Sequence, residues 1–374
     1  GQLDEEEANA KVRRLIAEEG DQTRLALARV LRHLPVDRFS WVGVLLLTSN
    51  SVTVVQEVGR SIEAKPSPAY LPSLVPLLGN RDLRHAARRA LFAIGEPALD
   101  HLANALAEGA LPNKLHKHLP RTISGFGGER SAQILAAALS TERDEAVVFK
   151  ILRGLGRMRE DDDALFIDRD LLLGVARQTA TRSITVLSWR LCVEEAARDS
   201  EVSPATDLLI AYLREKETAA LDRVFRLLHI VEPSSGFRMI SAALRSEDNS
   251  RRANSRELLS LVVPQPLRDA IVALADDVSD GERLKKASVL FEPPGVGTLA
   301  RLQRGDGPVN AAYVALMREM LADSSPALRS IVSYCAAELG FADLRSEIEG
   351  AALLEDDAMA DVQRQALALF AEVG

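Results

Sequence analysis

One apolar template recurs along the chain, and it constrains the fold more tightly than any other feature. Counting from Leu83, apolar residues fall at Leu83, Ala87, Ala90, Leu91 and Ile94, and Gly95 closes the set. These positions trace one face of an α-helix, and the glycine that follows is a helix stop. The template returns at Leu115, with Leu119, Thr122, Ile123, Phe126 and Gly127, and at Val147, with Ile151, Gly154, Leu155 and Met158. It returns again at Leu328, Val332, Cys335, Ala336, Leu339 and Gly340, and at Val362, Ala366, Leu369, Phe370, Val373 and Gly374. The first three starts lie 32 residues apart and the last two 34.

A second helix precedes the early copies. Leu71, Leu74, Val75 and Leu78 sit at i, i+3, i+4 and i+7, as do Leu99, Leu102, Ala103 and Leu106, and then Ala132, Leu135, Ala136 and Leu139. Short polar linkers such as Gly79-Asn80-Arg81-Asp82 separate the helices, and no stretch sustains a period of two. The unit is helix, turn, helix. Such a unit covers its apolar face only by stacking on its neighbours, which predicts an all-α solenoid of helix pairs, an α-α superhelix with one continuous elongated core.

Composition agrees. The 374 residues are 47% apolar and 27% charged, which is globular, and only 4% aromatic, too few for an all-β sandwich. Lys and Arg number 46 against 54 Asp and Glu, a net charge of -8 that argues against a general nucleic-acid binder. Cys192 and Cys335 lie far apart in helical text, so a disulfide framework is not indicated and a reducing compartment fits. The longest apolar run, Trp41 to Leu47, falls far short of the roughly 20 residues of a membrane span. The start runs straight into an acidic helix without a signal-peptide pattern, and Gly1 in place of Met leads us to expect a neighbouring domain.

The repeat is regular over 70–160 and degrades over 165–292. The Gly- and Pro-rich stretch 293–308 reads as a hinge loop after a first region of 1–292, and repeats resume over 309–374.

Asp82-Leu83-Arg84 and Pro326-Ala327-Leu328-Arg329, which open second helices, resemble HEAT repeats of the short bacterial kind. Three stretches also resemble the HEAT region of bacterial ATP/ADP-translocase-like, major-facilitator-type membrane proteins: Tyr70 to Gly95, Leu221 to Val263, and Ser325 to Gly340. That resemblance implies a non-catalytic scaffold or regulatory interaction module, cytoplasmic at the inner face of the membrane. A transporter-like domain and a cyclic-nucleotide-binding domain would flank it in the same chain. Alternatives are a freestanding soluble adaptor binding a protein partner and, more remotely, a HEAT-like DNA glycosylase or a bilin lyase-type enzyme.

The candidate binding residues form a ladder, Arg89, Arg121 and Arg153, one per repeat at the same template offset and facing away from the apolar stripe. Second helices of HEAT-type units usually line the concave surface, so the resemblance places the row there. Arg88, Lys117 and Lys150 crowd beside it, with Lys114 and His118. Residues 81–160 carry 13 Lys and Arg against 9 Asp and Glu, whereas 161–374 carry 24 against 35. A row of planar guanidinium forks suits phosphate or carboxylate, so an anionic partner is expected: an acidic helix, a nucleotide or anionic headgroups. The competing reading is a solvated face whose arginines pair with local carboxylates.

Other constellations read as structural. Glu160-Asp161-Asp162-Asp163, with Asp168 and Asp170, lacks the glycine and closing Glu of a calcium loop and reads as a solvated turn. His116 and His118 point apart on a helix and read as surface residues. Gly295-Val296-Gly297-Thr298-Leu299-Ala300 matches a loose dinucleotide fingerprint without the strand that chemistry requires. Both cysteines read as packed small hydrophobes, and Trp41 and Trp189 as core filler. No catalytic residue, metal site or cofactor is expected.

Overall fold

The computed structural model describes the whole chain except residues 1, 110, 199–202, 234–236, 245, 247, 277, 294, 305–308, 353–356 and 374. Among the described residues every regular element is helical and no strand forms, and successive helices pack on one another in an all-α helical repeat fold. Two compact units divide the chain, 1–168 and 169–374.

Unit 1 opens with α1 (Gln2–Glu18), α2 (Asp21–Val30), α3 (Val36–Leu47) and α4 (Val52–Ala64). The regular pairs follow: α5 (Leu71–Leu77) with α6 (Arg84–Ile94), α7 (Glu96–Glu108) and α8 (Asn113–His116) with α9 (Leu119–Ser124), and α10 (Gly128–Ala138) with α11 (Glu145–Asp161). The template positions are the core. Leu83, Ala87, Ala90, Leu91 and Ile94 are buried, as are Leu119, Thr122, Ile123, Val147, Ile151 and Leu155. The stops behave as glycine stops should: Gly95 and Gly127 have φ of 77° and 69°, a region closed to most side chains. Buried Glu57 is held by Arg32 and Arg60, tying α2 and the turn after it to α4.

The template starting at Leu115 predicts one continuous second helix, but the chain breaks it into α8 and α9. Pro120 has no N–H to give the carbonyl four residues back, so the helix stops and restarts at Leu119. The break leaves carbonyls at Lys117 and His118 that side chains then satisfy.

Unit 2 is built on two long helices, α12 (Arg169–Ala196) and α13 (Pro204–Val231), of 28 residues each. Arg190 pairs with Glu217 and Glu194 with Arg214, the reversed order of an antiparallel hairpin. Around them lie α14 (Phe237–Leu244), α15 (Asn249–Val262), α16 (Leu267–Ala275), α17 (Asp280–Ala287), α18 (Gly295–Arg304), α19 (Val309–Leu321), α20 (Pro326–Glu338), α21 (Arg345–Ala352) and α22 (Asp357–Val373). The later template copies bury Leu328, Val332, Cys335, Ala336, Ala366 and Phe370, but Leu339 is exposed. The expected stop at Gly374 lies outside the described residues.

The stretch expected as a hinge loop, 293–308, is not a loop over Gly295–Arg304: it is helix α18, packed on α12. Gly295 is buried, and a Cβ there would stand 2.2 Å from Ser188 Oγ, so the glycine serves close packing rather than a turn. Cys192 Sγ donates to the Gly295 carbonyl at 3.3 Å. Pro294 and 305–308 lie outside the described residues.

Candidate functional site

The second helices of the three regular pairs converge on a cleft of about 160 Å³ in unit 1. From α6 come Arg84 and Arg88, from the α8–α9 break Lys117, His118 and Arg121, and from α11 Lys150, Arg153 and Arg157. Ser124 and Gly154 complete the lining. Gly154 lets α11 approach α9: a Cβ there would meet the Ser124 Cβ at 3.1 Å.

Three of the cleft cations, Arg84, Arg88 and Lys150, are anchored by neighbouring groups. Arg84 donates through Nε to the Leu78 carbonyl at 2.6 Å and through Nη2 to that of Gly79 at 3.2 Å, satisfying the end of α5. Lys150 Nζ donates to the Lys117 carbonyl at 2.9 Å, and Thr122 Oγ1 to that of His118 at 2.9 Å. Arg88 Nε donates to Thr122 Oγ1 at 3.1 Å. These bonds hold three cationic side chains in place without neutralising any. Arg121, Arg153 and Arg157 stand outermost and exposed.

The carboxylates nearby are engaged elsewhere. Glu63 pairs with Arg89 at 3.3 Å, Glu142 with His116 at 2.9 Å, and Glu96 and Asp100 with Arg130. Asp144 caps α11 by accepting from the Ala146 and Val147 amides. Among the described residues, none of the seven Arg and Lys side chains of the cleft makes an ion pair with a carboxylate. The solvated-face reading, in which the arginines pair with local Asp and Glu, therefore describes Arg89 but not the cleft.

Crowding of like charge shows in the titration of the groups. Burial, then Arg121 and Arg84, bring Arg88 down to about 10. Burial, then Lys117 and Arg84, also lower Lys150, with Asp144 pulling weakly the other way. His118 is brought down to about 4 by burial and by Arg84, Lys150, Arg88 and Lys117. It is neutral at pH 7. A base with a depressed folded pKa supports folding at higher pH and loses that support as pH falls. Relative to His118→Gln, the native chain is expected to lose stability as pH falls from about 6.5 towards about 4. Urea unfolding of both chains across that range checks it; parallel curves would show that His118 is not repelled.

The row is thus not the one read from the template. Arg89 turns out of it to Glu63, and Arg88 takes its place beside Arg121 and Arg153. Along the chain the cations lining the cleft fall into two rungs, Arg88, Arg121 and Arg153, and Arg84, Lys117 and Lys150 three or four residues earlier. Lys150 sits 33 residues after Lys117, which sits 33 after Arg84. Arg121 likewise sits 33 after Arg88 but Arg153 only 32 after Arg121, so a step of 33 back from Lys117 and Arg121, readable from the basic residues alone, would have found Arg84 and Arg88 in place of Arg89. Arg157 belongs to neither rung and carried no signal. Lys114 is exposed and is not among the lining residues.

The other constellations resolve into structure. His116 is buried against Glu142, not a surface residue. In the acidic turn, Asp162 Oδ1 accepts from the Ala164 amide, and among the described residues no acidic, His or Cys group could hold a metal ion. Burial pushes the Cys192 thiol up to about 12 and raises Cys335, whose sulfur lies 3.2 Å from Thr206 Oγ1. Trp189 is core and donates to Glu319, whereas Trp41 is half-buried beneath Arg13.

Fold and site together define an all-α helical repeat protein with a basic cleft across three successive second helices, its cations without a carboxylate partner among the described residues. Compared with protein-family models and with curated proteins, the chain finds no match in either. Among the described residues no helix is long and apolar enough to cross a membrane.

Proposed function

We propose that this chain is a non-catalytic interaction module that captures an anionic partner in the unit 1 cleft. The observation that carries the reading is the convergence of seven Arg and Lys side chains with, among the described residues, no carboxylate paired to them. Like charges gathered this way are unfavourable unless an anion joins them. Permanently charged guanidinium and ammonium groups recognise an anion without exchanging a proton with it. His118, brought down to about 4, is far from the pKa near the operating pH that suits a general base.

Bound anion should stabilise the fold by mass action. At constant ionic strength, replacing chloride by sulfate or citrate is expected to raise the melting temperature of unit 1, reported by Trp41 in a Trp189→Phe background. Arg121→Gln, Arg153→Gln and Arg157→Gln combined should remove that rise, and Arg89→Gln should not. No rise with any anion would sink the reading.

We further propose that the helix pairs are of HEAT type and that the module serves beside a translocase-like membrane domain on its cytoplasmic side. The three sequence stretches that resemble such proteins support this. Sequencing the gene on both sides of the codons for Gly1 and Gly374 tests it: an adjoining frame with several apolar segments of roughly 20 residues supports it. A frame confined to this chain favours the freestanding adaptor.

A further inference from the structure

We propose that the cleft takes a compact oligophosphate, two or more linked phosphoryl groups, and holds it without reading any base attached to it. This rests on the proposed anion-binding role of the cleft and adds the class of ligand.

Size is the first argument. The cleft's volume is about 160 Å³, room for several waters. That admits linked phosphoryl groups, but not an acidic helix, which is about 10 Å across with its side chains. Charge is the second. A carboxylate brings one negative charge to seven cations, whereas a diphosphate or triphosphate brings several within the same space.

The third argument is the arrangement of donors. The two rungs lie three or four residues apart along the chain, roughly 5 Å on the helices α6 and α11. The first, Arg88, Arg121 and Arg153, presents planar forks that pair bidentately with phosphoryl oxygens. The second, Arg84, Lys117 and Lys150, adds three positive charges, Arg84 being held through Nε and Nη2 by the Leu78 and Gly79 carbonyls. Each rung can serve one phosphoryl group. The lining argues against base recognition: beside the cations it holds Ser124, Gly154 and the half-buried ring of His118, and among the described residues no Phe, Tyr or Trp lines the cleft to stack on a base.

Calorimetric titration of the full chain with pyrophosphate, inorganic phosphate, citrate, ADP and GDP tests the proposal. Pyrophosphate is expected to bind at least tenfold more tightly than phosphate or citrate, and ADP and GDP within about threefold of pyrophosphate and of each other. Arg121→Gln and Arg153→Gln, both at exposed side chains that anchor nothing, are each expected to weaken pyrophosphate at least tenfold, while Arg89→Gln leaves it unchanged. Citrate binding as tightly as pyrophosphate would overturn the oligophosphate assignment and leave the anion site standing. A tenfold preference for ADP over GDP or pyrophosphate would show that a base is read and would likewise overturn it. No binding by any of the five, together with no anion-induced stabilisation, would remove the site itself.

Discussion

Replacing Arg190 by alanine is expected to destabilise unit 2 by about 3–5 kcal/mol, the cost of leaving buried charge without its partner. Arg190 is 2% exposed, towards the C-terminal end of α12. Its guanidinium meets Glu217 at 2.6 Å, Glu194 at 2.9 Å and Asp280 at 2.8 Å, joining α12 to α13 and α17. Burial works against its charge, but the bonds from these carboxylates hold it above the ordinary arginine range. Two of the three have a second partner, Glu194 in Arg214 and Asp280 in Arg283. Among the described residues Glu217 has no other ion-pair partner, so it is the group the substitution strands.

The pH dependence follows from that asymmetry. Burial already pushes Glu217 up while Arg190 pulls it back. Without Arg190 the folded pKa of Glu217 rises further above its unfolded value of 4.5. A carboxyl raised in this way favours folding at low pH and loses that contribution as pH rises through the folded pKa. The deficit of Arg190→Ala against the native chain should therefore be largest near neutrality and shrink towards about pH 4.5. Urea unfolding followed by Trp189 in a Trp41→Phe background measures it. A deficit independent of pH would mean that lost packing, not stranded charge, sets the cost.

Ile123→Ala is the second large effect expected, about 2–5 kcal/mol in unit 1. Ile123 is fully buried in α9, a helix of six residues. Isolated helices shorter than about 12–15 residues are marginal in water, so α9 holds its shape through Leu119, Thr122 and Ile123 packed beneath it. The adjacent Arg121→Gln, on the exposed face, should change stability by no more than about 0.5 kcal/mol. Unfolding reported by Trp41 compares the two. A cost for Ile123→Ala below about 1 kcal/mol would show that α9 is held by its hydrogen bonds and not by its core side chain.

The amino-acid sequence made the all-helical repeat legible wherever a helix buries one face. At Leu83, Ala87, Ala90 and Leu91 the apolar period of the text is the buried stripe of the fold. In α12 that period vanishes, because Val186, Leu187, Ser188, Trp189 and Arg190 are five consecutive buried residues. A helix covered on all sides has no polar face to mark its phase. The Gly-Pro text at 293–308 misled for a related reason: Gly295 looks like a turn residue, and only the closeness of Ser188 shows why a side chain is excluded.

For the cleft, the sequence by itself determined that basic residues gather on the second helices of three regular repeats, because composition and period are local properties of the chain. Which of them converge was decided by the tertiary structure. Arg88 and Arg89 are neighbours on α6, and on a helix one residue is about 100° of rotation. That rotation sends Arg89 to Glu63 and leaves Arg88 in the cleft. Whether a cation is free or paired depends on which carboxylates lie within reach, a property of packed neighbours that no spacing along the chain records.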